Sequence, residues 1–317
     1  MPHIENATQL LVHKRVLKLM GNRFEISVVC DDTYRANQCI DSAIAEISRI
    51  EKLLTTFSDD SQTNQINANA GIAPVKVDEE VYQLIARSLK ISELTQGAFD
   101  ITYGSIDKRL WNFDQQMQAL PDPATAKKAV RLINYKNVLL NEEETTVFLR
   151  EKGMRIGFGG IGKGYAAERA RIVLQNAGIT SGIVNAAGDL VTWGTQPDGK
   201  PWTIAIADPD QCNTPFSTMD ISNMAIATSG NYAKFAIIDG KKYSHTIDPK
   251  TGLPVSGIKS VSIICPNAEF ADAMATPVTV MGVRVGLNLI NQLQHVACII
   301  IDDHNQLYTS NNINVKN

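Results

Sequence analysis

Asp272 and Thr276 stand four residues apart in the run Asp272-Ala-Met-Ala-Thr276. On a helix that spacing places a carboxylate and a hydroxyl on one face. Both are hard oxygen donors suited to Mg²⁺, which keeps waters and phosphate oxygens in its other positions. Pro277 follows, and a proline inside a helix frees the carbonyl four residues back, that of Ala273. The plainer reading is an exposed carboxylate and a core-facing threonine. A second candidate is the densest glycine cluster, Gly157-Phe-Gly-Gly-Ile-Gly-Lys-Gly164. Glycines let backbone N–H groups approach a ligand, and a helix start beyond them favours anions. Lys163 adds a point charge. A Walker loop would need Ser or Thr after the lysine, where Gly164 stands. A GxGxxG pattern is present at Gly157, Gly159 and Gly162, but the acid expected about 20 residues later is replaced by Gly182. The alternative is a tight strand-to-helix turn with packing glycines. A third candidate is Tyr243-Ser-His-Thr-Ile-Asp-Pro-Lys-Thr-Gly252. His245 and Asp248 enter a turn set by Pro249 and Gly252, and imidazole moves protons near neutral pH. A structural histidine and a turn-capping aspartate are the alternative.

These residues need elements to hold them. Residues 12–30 predict two strands joined at Gly21-Asn22, with Phe24, Ile26 and Val28 alternating. Ile40, Ile44, Ile47 and Leu54 recur at helical spacing over 34–54. The polar run 58–71 predicts a loop. Asp78 caps a helix that buries Val81, Leu84, Ile85 and Leu89, and Asp122-Pro123 opens a short one. A helix over 165–177 ends at Gly178. Residues 181–262 read mostly as strands, with Asp239-Gly240 a hairpin turn between 235–238 and 243–247. Helices over 268–281 and 284–293 and a strand over 296–301 complete the chain. No regular βαβ rhythm runs through it, so the expected class is α+β.

Composition excludes several alternatives. Of 317 residues 44% are hydrophobic and 20% charged, near the globular average. Such a length suits about two domains of roughly 150 residues or one larger one, and no linker marks a boundary. The net charge of −3 gives no general pull toward nucleic acid or anionic membrane. No apolar run approaches a membrane span. The five cysteines are dispersed without metal spacing and read as reduced core thiols. His13, Lys14 and Arg15 interrupt the N-terminal apolar residues, so a cytoplasmic protein is expected as the sequence stands. A chain trimmed of an export signal would read the same.

Taken together, the segments resemble the ApbE family of FAD:protein FMN transferases. The resemblance runs from Met20 to about Ile301, with its motifs in family order. They are Met20-Gly-Asn, Ser61–Asn67, Gly97–Thr102 with Trp111 downstream, Gly157–Tyr165, Val184–Asp189, Thr228–Tyr232, His245–Gly252 and Ala271–Thr276. Gly157 stands where the family has an acid, Gly162 where it has alanine, and Pro277 where a helix former is usual.

The resemblance implies a mixed-sheet, T-fold-like architecture with flanking helices, in one domain whose subdomains meet at an FAD cleft. It implies Mg²⁺-dependent transfer of FMN from FAD to a Ser or Thr hydroxyl of an acceptor flavoprotein, with release of AMP. The alternatives are an Mg²⁺-dependent FAD pyrophosphatase and a non-enzymatic flavin-binding protein. By the same resemblance, FAD contacts are expected from Met20, Asn67, Ala98, Phe99, Asp100, Lys163 and Ile247. The metal ligands would be the Gly160 carbonyl, Asp272 and Thr276. His245 would take the proton from the attacking hydroxyl, and Asp248 would share in orienting the acceptor or hold the turn.

Overall fold

The computed structural model describes residues 9–107, 119–207, 215–230 and 235–313. Trp111, Asn231, Tyr232 and one of the five cysteines, Cys212, lie outside the described residues. Strands β1 (Leu11–Leu19) and β2 (Asn22–Cys30) pair antiparallel through Leu19↔Asn22. The turn is therefore Met20-Gly21, one residue earlier than expected. Both turn residues have positive φ, 49° and 72°. That pair of conformations makes the tight hairpin whose twist matches its strands. Asn22 belongs to the strand, and its Nδ2 donates back to the Met20 carbonyl at 2.8 Å.

The chain then runs through α1 (Thr33–Leu54), α2 (Gln62–Ala68), β3 (Val75–Lys76), α3 (Glu79–Leu94) and α4 (Pro123–Ala129). Next come β4 (Val138–Asn141), β5 (Thr146–Leu149), α5 (Gly162–Asn176), β6 (Gly182–Ala186) and β7 (Asp189–Trp193). The hairpin β8 (Trp202–Ala207) and β9 (Pro215–Ile221) follows, then β10 (Ala225–Gly230). The last elements are the hairpin β11 (Phe235–Ile238) and β12 (Lys241–Ser244), β13 (Ile258–Cys265), α6 (Ala268–Ile290), β14 (Ala297–Asp302) and β15 (Leu307–Thr309).

Eight strands form one sheet in the order β1-β2-β6-β7-β10-β13-β14-β15. Every described pairing is antiparallel, so the class is α+β and no doubly wound sheet is present. One face carries α1, α5 and α6, and the main hydrophobic core lies between them and the sheet. On the other face the β8–β9 hairpin sets Trp202, Ile204 and Ile221 against Val29, Leu190, Ile226, Ile264 and Ile299. With both faces covered, β7 is buried at every residue, and a two-residue alternation cannot appear in it. The four described cysteines are buried and unpaired, and burial pushes the Cys298 thiol up to about 12.

A further expectation needs correction. The polar run 58–71 contains a helix, α2. Ser61 caps it, accepting the Asn64 N–H at 3.1 Å, and Thr63, Ile66 and Asn67 turn inward. Turn-forming residues were overridden by a cap and one buried face. The two helices expected over 268–281 and 284–293 are both present as the arms of α6, separated at Gly282 (φ 79°, ψ 169°). A Cβ on Gly286 would lie 2.8 Å from Val278 Cγ1, so the arms beyond and before the break fold together. By length and composition alone α6, with a mean hydropathy of 1.4, passes for a membrane-crossing helix, but the break at Gly282 divides it into two arms that pack on each other. It packs on β10 and β13 and buries Asp272.

Ser61 also donates its hydroxyl to the Thr55 carbonyl at 2.6 Å, tying α2 to the end of α1. Ser61→Ala is expected to lower stability by about 1 kcal/mol, a typical cap loss. A denaturant midpoint equal to that of the wild type would show that α2 does not depend on its cap.

Candidate active site

The α5 helix begins without a side-chain cap of its own. The Gly164 N–H, one of its unpaired first-turn donors, is instead taken by the Asp272 carboxylate at 2.8 Å. The exchange is reciprocal, because Glu168 on α5 accepts the Ala268 N–H at the start of α6 at 3.0 Å. Positions 164 and 168, and 268 and 272, are each four apart, so each pair shares one helix face. The faces meet closely enough that a Cβ on Gly164 would lie 2.2 Å from the Ala268 carbonyl oxygen.

Lys163 forms an ion pair with Asp189 and lies 3.8 Å from Asp272 Oδ1. Asp189 is 3% exposed and also accepts the Thr228 N–H at 3.1 Å. Burial pushes the Asp272 carboxyl up, while the Lys163 ammonium and the Gly164 N–H pull it down. Two carboxylates face one ammonium here.

The glycines before α5 are not demanded by backbone conformation. Gly157, Gly159, Gly160 and Gly162 all avoid the left-handed region. Nor do protein neighbours demand them: a Cβ on Gly159 would meet nothing within 4 Å, and one on Gly160 would make an ordinary contact with the Phe99 ring at 3.5 Å. The segment is held from behind. Asn67 clamps Ile156 with both amide atoms, Oδ1 accepting its N–H at 2.7 Å and Nδ2 donating to its carbonyl at 3.1 Å. Gly157 N–H donates to the Ile101 carbonyl at 3.0 Å.

A cavity of about 850 Å³ opens in front of this segment. Met20, Ala98, Phe99, Asp100, Lys163, Ile247, Gly160, Thr276 and His245, all singled out from the sequence, line it. Asn67, Asp248 and Asp272 do not. Asn67 acts one layer back, through Ile156. Asp248 accepts from the Lys250 N–H at 2.8 Å and the Thr251 hydroxyl at 3.1 Å, so its carboxylate holds the turn. Asp272 lies behind Lys163, one helical turn from Thr276. Asp100 reaches the cavity wall, but its oxygens are taken by Thr102 and the Tyr135 N–H, and burial pushes its carboxyl up. Its hydrogen bonds fix the backbone of the Ala98–Asp100 wall.

His245 is exposed on the cavity side of that turn, and Ile247 beside it is buried. The turn rests on α4. Ile247 packs with Ala126, Val130 and Ile133, and a Cβ on Gly252 would lie 2.0 Å from the Ala126 carbonyl oxygen. Three participants, Glu51, Asp189 and Glu168, were given no role from the sequence. Glu51 accepts the Met20 N–H at 2.9 Å and lines the cavity. Asp189 was visible as the end of the Val184–Asp189 motif, whereas Glu168 and Glu51 sit in unremarkable helical sequence.

Among the described residues no three His, Cys, Asp or Glu side chains cluster as metal ligands. A metal here would rely on backbone carbonyl and hydroxyl oxygens beside one carboxylate. Gly160, Thr276 and Asp272 are the residues that would supply such donors, and the surplus carboxylate charge beside Lys163 would suit a cation.

The fold and cavity define an α+β protein whose cleft joins a glycine-lined helix start, a histidine-bearing turn and a helix with a buried carboxylate. The chain belongs to the ApbE family, whose model covers residues 20–300. An FAD:protein FMN transferase of Klebsiella pneumoniae is 32% identical over 271 residues, 84% of this chain and 77% of its own. One of Treponema pallidum is 32% identical over 266 residues, 79% of this chain and 73% of its own. The crystal structure of the ApbE protein of Thermotoga maritima superposes with a TM-score of 0.85 at 29% identity, covering 95% of this chain and 97% of that one. The apo flavinyl transferase ApbE of Pseudomonas stutzeri gives 0.84 at 25% identity, covering 96% of each.

Gly164→Ala should drive α5 and α6 apart and cost about 1–3 kcal/mol, the usual range for overpacking. Urea unfolding measures it. An unchanged stability would show that the two helices part without penalty.

Proposed function

We propose that this chain is an Mg²⁺-dependent FAD:protein FMN transferase, moving FMN from FAD onto a Ser or Thr hydroxyl of an acceptor flavoprotein and releasing AMP. The observation that carries this is one cavity of about 850 Å³ bringing His245, Lys163, Gly160 and Thr276 together beside the apolar groups of Met20, Phe99 and Ile247. Its volume suits a large cofactor-sized ligand. The names of the relatives and the family membership support the same reading.

The residues divide the work. Phe99, Met20 and Ile247 offer apolar surface to a flat ring system. Gly159 and Gly160 leave backbone open where a pyrophosphate approaches, and Lys163 places positive charge there, held by Asp189. A ring nitrogen of His245 takes the proton of the accepting hydroxyl as its oxygen bonds to the FMN phosphorus. The bond from that phosphorus to the bridging oxygen breaks, and AMP leaves with its electron pair. Asp248 keeps the turn, and so His245, in place. The Gly160 carbonyl, Asp272 and Thr276 would hold Mg²⁺, which when bound neutralises charge gathering on pyrophosphate oxygens. The exposure of His245 favours a second reading, in which water replaces the hydroxyl and FAD is hydrolysed to FMN and AMP.

Incubation with FAD, Mg²⁺ and a flavoprotein acceptor separates these. Covalent flavin on the acceptor supports transfer. FMN and AMP without labelled acceptor support hydrolysis, and bound but unchanged FAD would leave a flavin carrier.

His245→Ala is expected to keep FAD binding and slow transfer by at least about 10²-fold, the low end for a general base. Asp248→Asn should cost less. A near-wild-type rate in His245→Ala at saturating FAD and Mg²⁺ would remove the histidine from the mechanism. Asp272→Ala should lose most activity while retaining much FAD affinity, read by flavin fluorescence. Full turnover by metal-free protein in excess EDTA would refute the metal requirement.

A further inference from the structure

A second cavity, of about 570 Å³, opens beside the first and shares Asp100 and Pro249 with it. Its walls come from α4, the residues just after it and the Pro249-Lys250 turn. They carry four cations: Lys127, Lys128, Arg131 and Lys250. The chain has a net charge of −3, so this concentration is local. The one carboxylate on these walls, Asp100, has its oxygens taken by Thr102 and the Tyr135 N–H. Arg131 pairs with Glu151 at 2.9 Å, and Lys127 Nζ donates to the Lys250 carbonyl. Lys128 and Lys250 are exposed. Neither has an ion-pair partner among the described residues.

Gathering like charges in one concavity costs repulsion and focuses a positive field outward. The fold uses only part of it. Lys127 already braces the turn, and α4, only seven residues long, carries two lysines in its last turn. Nothing in the proposed transfer chemistry uses any of the four.

We infer that this basic cavity docks an acidic segment of the acceptor protein and so brings the accepting hydroxyl over the His245 turn. The inference rests on the transferase reading and deepens it by naming how the acceptor is recognised. Position carries the argument. The 245–250 segment is a wall of both cavities, with His245 and Ile247 toward the first and Lys250 toward the second. Gly252 seats it on α4 without a Cβ, which makes the two cavities neighbours on one rigid piece. A protein presenting a hydroxyl to His245 must cover this turn, and its adjoining residues then fall on the basic side. Cations spread over a helix end and a separate turn match carboxylates carried on successive residues. Complementarity of this kind sets encounter rate and register.

The test is fluorescence anisotropy of a labelled peptide carrying one threonine among glutamates, titrated with the whole chain. The same peptide with glutamines in place of the glutamates is the control. The glutamate peptide should bind more tightly, and the preference should fade with added salt. Lys128→Glu combined with Lys250→Glu should weaken it at least about tenfold, the low end of electrostatic steering. FAD affinity in the double variant, read by flavin fluorescence, should stay at the wild-type value and report an intact fold. With an acidic flavoprotein acceptor, KM should rise while kcat holds. Equal binding of the two peptides, or unchanged binding by the double variant, would overturn the inference. Inorganic phosphate binding at the cavity without preference for the glutamate peptide would overturn it too, assigning the cations to a small anion. A wild-type chain that binds the glutamate peptide yet flavinylates no acceptor overturns the transferase reading and the partner's identity, while the acidic-segment site stands.

Discussion

The reciprocal capping of α5 and α6 is the contact on which the site depends. Each helix starts with unpaired N–H groups, and each lends the other a carboxylate: Asp272 to Gly164, Glu168 to Ala268. Helix N-termini and carboxylates attract through both hydrogen bonds and the peptide dipoles. The exchange works only because position 164 has no side chain. Any Cβ there would occupy the space of the Ala268 carbonyl and of Asp272 itself. One contact therefore determines where the glycine segment ends, where Lys163 points and how far Thr276 stands from Gly160.

The contact places charge where burial penalises it. Asp189 and Asp272 are almost wholly covered, and an unpaired buried carboxylate is expensive. Lys163 answers Asp189 directly and Asp272 at longer range, while backbone N–H groups satisfy the remaining oxygens. Buried ion pairs are often no more stabilising than well-packed hydrophobic groups, so stability alone does not explain the arrangement. An ammonium and hard oxygens held ready at the cavity wall, with their reorganisation already done during folding, suit the handling of a pyrophosphate.

The opposite wall is built by different means. The 245–252 turn has no helix of its own to hold it. It is fixed by Asp248 bridging its own backbone, by Ile247 entering a small apolar cluster and by Gly252 lying against α4. Asn67 does the same service for the glycine segment through Ile156. Asp248 and Asn67 stood out in the sequence as candidate site residues, yet neither reaches the cavity surface.

The sequence by itself determined the helices and hairpins with strong local signals. Asp122-Pro123 opens α4, Asp239-Gly240 turns β11 into β12, and the apolar spacing of 34–54 makes α1. It also determined most of the cavity wall, since motif order and residue chemistry pointed to Lys163, His245, Thr276 and Phe99. Strands such as β7 were blurred because both sheet faces are covered, and α2 was hidden because its polar residues look like a loop until Ser61 caps it. What only the tertiary structure decided is pairing across long separations. Gly164 meets Asp272, Lys163 meets Asp189, Asn67 meets Ile156, and Lys128 shares a concavity with Lys250. Periodicity and turn chemistry act over a few neighbouring residues, whereas these contacts follow from how helices and loops stack, which no local pattern encodes.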